Sequence, residues 1–69
     1  MATRDVHREI RWLENAISET RKRIGWNAEH RWHEVANGDW VDVTDERNAA
    51  LEVEIRKCEI MLEHNRSKL

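Results

Sequence analysis

His30 and His33, with Glu29 and Glu34 beside them, are the residues of this chain that most resemble metal ligands. On a helix, Glu29/His33 and His30/Glu34 are i,i+4 pairs, so each pair shares a face and has the geometry to grip an ion. The surrounding pattern does not support that chemistry. There is no His-Glu-x-x-His run, and none of the Glu-x-x-His pairs that di-iron helical bundles use. Ordinary Glu–His contacts on a solvated helix end, where the dipole also favours histidine, account for the spacing. We therefore expect no metal and no cofactor.

A second pattern joins arginine to tryptophan. Arg11-Trp12 stands in RWLENA and Arg31-Trp32 in RWHEVA, and Arg21-Lys22-Arg23 precedes Gly25-Trp26. Guanidinium over indole is a cation–π pair, and the same two groups bind nucleobases by stacking and phosphates by charge. Arginine stems packed over tryptophans on a helix surface produce the same pattern without a ligand. If a ligand is bound, it is a small anionic aromatic molecule rather than a nucleic acid. The formal net charge of −2 opposes a long polyanion.

Nucleophilic chemistry has little to work with. Cys58 is the only cysteine, and it falls in an apolar helical row where a thiol acts as a small hydrophobe. Neither Ser18 nor Ser67 has a histidine–carboxylate arrangement, and there is no glycine-rich phosphate loop. The chain is expected not to be an enzyme.

The elements that must position these residues are helical. Charged residues make up 38% and hydrophobic residues 39%, with no proline and two glycines, a composition of helical bundles and coiled coils. Thr3 or Asp5 can cap a first helix. Val6, Ile10, Leu13, Ile17, Thr20 and Ile24 then recur at steps of three and four, and Ala28, Trp32 and Val35 continue the row with a phase shift at Gly25, where a bend is expected. This gives one helix over about residues 4–36. Asn37-Gly38-Asp39 reads as its C-terminal stop, and Trp40–Val43 as a connector without a partner strand. Thr44 caps a second helix, over about 44–68, whose seam is Leu51, Ile55, Cys58, Leu62, Asn65 and Leu69. Folded back antiparallel, the two seams match where residue numbers add to about 79. The expected fold is all-α, an antiparallel two-helix hairpin forming a single domain over residues 1–69.

Each helix carries another row on its far side, opposite the seam. Trp12, Glu19, Trp26 and His33 recur by sevens on the first, and Val53 and Ile60 on the second. A lone hairpin would leave these rows in water, and contiguous apolar patches mark contact surfaces. A domain this small, without a disulfide, also gains from a partner. We expect assembly into a four-helix bundle or a larger helical oligomer, working as a protein-interaction or inhibitor module. The alternative is an oligomeric sponge that sequesters a nucleotide-like, anionic aromatic ligand. The interface or ligand candidates are Trp12, Arg23, Trp26, His30, His33, Val53 and Ile60. Possible partners are a second copy, a heterologous protein or that small anion. No apolar run is long enough to span a membrane, and the lone cysteine suits the cytoplasm. Helical hairpins of this shape occur among plasmid copy-control proteins and small phage inhibitors, but none of their motifs stands in this sequence.

Overall fold

A computed structural model describes residues 5–69. Helix α1 spans Val6–Glu29, strand β1 His33–Ala36, strand β2 Asp39–Asp42 and helix α2 Thr44–Arg66. Two antiparallel helices thus form the body, joined at one end by a two-stranded antiparallel sheet. Among the described residues, no helix is long and apolar enough to cross a membrane.

Asp5 caps α1, its side chain accepting the Arg8 N–H at 3.1 Å. Thr3, the other candidate cap, lies outside the described residues. The buried seam of α1 keeps a strict heptad. Leu13 and Ile17 are buried, Ile10, Thr20 and Ile24 half-buried, and the next buried residue is Asn27, not Ala28, which is exposed. The phase shift expected at Gly25 is therefore absent, and α1 runs through Gly25 without a break. Thr20 fits its half-buried position by donating its hydroxyl to the Ala16 carbonyl at 2.7 Å.

The helix expected to reach residue 36 ends at Glu29, where the His30 N–H closes on the Trp26 carbonyl at 2.8 Å. Residues 33–36 are instead a strand, paired His33↔Asp42, Glu34↔Val41, Val35↔Trp40 and Ala36↔Asp39. The connector therefore has a partner strand after all, in residues that the helical row had claimed. Asn37 and Gly38 both have positive φ, 53° and 84°. That is the two-residue turn whose twist matches a β-hairpin, and Asn-Gly is its preferred sequence. The same dipeptide also serves as a helix stop. What decides between the two is the set of bonds the strand makes: the Trp32 carbonyl accepts the Val43 N–H at 2.8 Å, and the Trp32 N–H donates to the Thr44 hydroxyl at 2.7 Å.

This commits Thr44 to a different job from the expected cap. It is fully buried, with 0% of its surface exposed, and its hydroxyl fastens the sheet to α2. The residue preceding the helix, Val43, makes no side-chain cap bond. Asp42 supplies a cap from one position earlier, accepting the Thr44 N–H at 2.9 Å.

The α1–α2 core is small. Leu13, Ile17, Ile55 and Leu62 are its buried apolar residues, with Ile10, Ile24 and Cys58 packed around them. Each fully buried aliphatic side chain contributes about 2 kcal/mol. Leu69 lies beyond α2 and is exposed, so the seam ends short of it. The register is close to the one expected. Arg21 meets Glu59 at 3.6 Å and Glu14 meets Arg66 at 3.3 Å, and in both pairs the residue numbers add to 80.

Candidate functional site

Aromatic and cationic side chains gather where the helices meet the sheet. Its base is a run of side-chain hydrogen bonds across the seam. The Trp32 Nε1–H donates to Asn27 Oδ1 at 2.8 Å, Asn27 Nδ2 donates to Asn48 Oδ1 at 3.0 Å, and Asn48 Nδ2 donates to the Ile24 carbonyl at 3.4 Å. Asn27 is only 5% exposed, so an unpaired amide there would be costly. Donor and acceptor are both satisfied, which turns a polar residue at a seam position into a fixed joint.

Trp32 is consequently held on several sides. Its N–H and carbonyl are tied to Thr44 and Val43, its indole N–H to Asn27, and the Arg47 guanidinium lies 4.3 Å from its ring centroid. Arg47 also reaches Glu34 at 3.5 Å. Next to it, Trp26 stacks on His30, with centroids 4.1 Å apart and planes 9° from parallel. His30 Nδ1 lies 3.0 Å from the Trp26 carbonyl, which can only accept, so this nitrogen carries the proton. The two indoles meet at 6.4 Å and 58°, an open wedge. Together with Asn27, Ala50 and Leu51 they line a groove of about 730 Å³, rimmed by Glu19, Lys22, Arg23 and Arg47.

A charged clip holds the sheet beside this groove. Arg31 Nε donates to Asp42 Oδ2 at 2.8 Å, with Asp45 at 3.7 Å from the same guanidinium. The hydrogen bonds from Thr44, with Arg31 adding to them, hold the Asp42 carboxyl well below the usual carboxylate range. The same contact raises Arg31.

The candidate residues read from the sequence do not form one site. Arg23 and Trp26 line the groove, and His30 stacks behind Trp26. Trp12 is two heptads from Trp26 on the same stripe of α1 and 64% exposed. His33 leaves that stripe altogether, because it lies in β1 rather than α1. The i,i+4 pairs Glu29/His33 and His30/Glu34 go with it, since α1 has ended. Among the described residues no three His, Cys, Asp or Glu side chains gather as a metal would need. Val53 and Ile60 are exposed on α2, and Ile60 borders a second depression with Met61, Glu9, His64, Asn65 and Lys68 at the far end of the hairpin.

The groove and the bonds beneath it use five residues that were not among those candidates: Asn27, Asn48 and Arg47, with Trp32, read as part of a helical row and an Arg-Trp pair, and Thr44, read as a helix cap. Two had a signal. Asn27 and Asn48 both continue a strict heptad of their helix, 14 residues from Leu13 and Leu62 respectively. Paired amides at facing seam positions are the expected way to satisfy such residues. Comparison with protein-family models, with curated proteins and with solved structures finds no match for this chain.

Proposed function

We propose that this protein is a non-enzymatic helical hairpin that associates with copies of itself and works as a protein-interaction or inhibitor module. One observation carries the reading. Among the described residues the core buries four apolar side chains, while ten large hydrophobic residues remain exposed, including all four tryptophans. Scattered exposed hydrophobics need no explanation, but Trp12, Trp26 and Met61 fall on one side of the hairpin. Trp12 and Trp26 share one stripe of α1. Met61 is two heptads from Arg47, and both border depressions on the same side of the hairpin.

A second copy is the occupant that best suits this side. The hairpin measures 56 × 21 × 19 Å, so one broad side is ample for the roughly 800 Å² per partner of a standard interface. Two hairpins packed this way make a four-helix bundle. The sheet leaves a further surface for a different protein. Glu34 reaches Arg47 from one face, while Val35 and Trp40 sit opposite each other on the other face, 65% and 74% exposed. The single cysteine suits a reducing compartment such as the cytoplasm. Sedimentation velocity at micromolar concentration tests the reading. We expect a species at a multiple of 8.3 kDa; a cooperatively folded monomer is the opposing result.

A further inference from the structure

We propose that the groove between Trp26, Trp32 and Arg47 binds a small planar anion, an aromatic ring bearing a phosphate or carboxylate, of about mononucleotide size. The proposal goes beyond self-association and does not depend on it. Its volume of about 730 Å³ falls within the usual range for small-molecule sites.

Charge selects the ligand's sign. Lys22, Arg23 and Arg47 rim the groove with Glu19, a surplus of cations in a chain whose net charge is −2, and Arg47 is engaged by Glu34 at 3.5 Å. Glu19 is already engaged by Lys22 at 3.4 Å. Arg23 has no ion pair among the described residues, which leaves a guanidinium at the rim for an anion.

Stacking selects the ligand's shape. Both indoles line the groove, and both are already fixed, Trp26 by His30 and Trp32 by its four tethers. Rings ordered before binding cost little conformational entropy when a ligand arrives. The amides of Asn27 and Asn48 are spent on each other, on Trp32 and on the Ile24 carbonyl. Recognition therefore rests on ring stacking and charge rather than on reading a base edge, and ring identity should matter little.

The test is a titration of the full chain with adenosine monophosphate, followed by tryptophan emission and calorimetry. Adenosine and inorganic phosphate are parallel arms. We expect saturable quenching by the monophosphate, with each half-ligand weaker by about tenfold or more. Arg23→Ala should weaken the monophosphate by about tenfold with unchanged circular dichroism, because Arg23 is exposed and makes no ion pair among the described residues. Lys57→Ala, away from the groove, should leave binding unchanged. Absence of saturable quenching overturns the proposal, and so does an equal loss in both variants. Tighter binding of a thymidine decamer than of the monophosphate, lost steeply with salt, overturns it in favour of a polynucleotide. Sedimentation of the same samples reports self-association separately, so either idea can fail alone.

Discussion

The two broad sides of this hairpin are built from the same two helices and differ in almost every respect. One carries Glu14, Arg21, Glu59, Glu63 and Arg66, with ion pairs bridging the helices at Arg21–Glu59 and Arg66–Glu14. The other carries Trp12, Trp26 and Met61, the Trp32 groove, and ion pairs that stay within one helix, Lys22–Glu19 and Lys57–Glu54. On the first side, charges are spent joining α1 to α2. On the second, no ion pair crosses between the helices among the described residues, and the apolar surface is left uncovered. With four buried apolar residues in the core among the described residues, Trp12, Trp26 and Met61 remain exposed on this side. The difference points to one side facing water and the other facing a partner.

Breaking the aromatic side should have the largest effect. Trp12→Glu with Trp26→Glu removes two rings and adds two charges to the proposed interface. Loss of a buried tryptophan contact costs roughly 2 kcal/mol or more, about a thirtyfold change in association. We expect the double variant to sediment as a monomer, and an unchanged oligomer would transfer the interface elsewhere.

The joint beneath the groove comes next. Asn27→Ala strands the Trp32 indole N–H and one Asn48 oxygen in a partly buried position, at a cost of about 2 kcal/mol. That corresponds to a fall in melting temperature of roughly 10 °C for a domain of this size. Asn27→Asp, which keeps an acceptor for Trp32, should recover part of the loss in thermal melts followed by circular dichroism at neutral pH.

A smaller, pH-dependent effect belongs to the sheet clip. The folded Asp42 carboxyl titrates below its unfolded value, so its contribution to stability is complete above the unfolded value, about 3.8. That contribution is lost as pH falls from there through the lower folded value. Asp42→Asn should therefore lower the melting temperature at pH 7 and flatten the acid limb of the stability profile. An acid limb identical to wild type would exclude Asp42 from it.

The smallest effect should come from the charged side. Arg66→Ala removes an exposed ion pair and should change stability by about 0.5 kcal/mol or less in urea unfolding, with assembly intact. A loss of assembly here would reverse the roles given to the two sides.

The helical body of this fold was legible because its two seams answer each other. Leu13, Ile17, Ile55 and Leu62 repeat at helical spacing and imply an antiparallel register within one residue of that seen in the Arg21–Glu59 and Glu14–Arg66 pairs. The end of α1 was not legible, for a specific reason. Ala28, Trp32 and Val35 extend a helical row as well as they fit a bend and a strand, and Asn37-Gly38 both stops helices and turns hairpins. Local spacing cannot choose between them. The choice is made by bonds to residues beyond the turn, above all Thr44, whose hydroxyl looked like a helix cap and is spent on Trp32. The groove followed the same fate. Arg23 and Trp26 stood out as candidates, but Trp32 and Arg47 reach them only because the strand returns. The apparent histidine pairs vanished for the converse reason, since their spacing requires a helix that has already ended.

The central claim is that the Trp12/Trp26 side is covered by a second copy, and the indole N–H signals report on it residue by residue. A dilution series of ¹H–¹⁵N spectra resolves all four tryptophans. We predict that the Trp12 and Trp26 signals shift together as concentration falls, in step with the loss of oligomer. The Trp40 signal, out on the sheet, should stay in place. A shift confined to Trp40, or four signals that do not respond to concentration, would contradict the account.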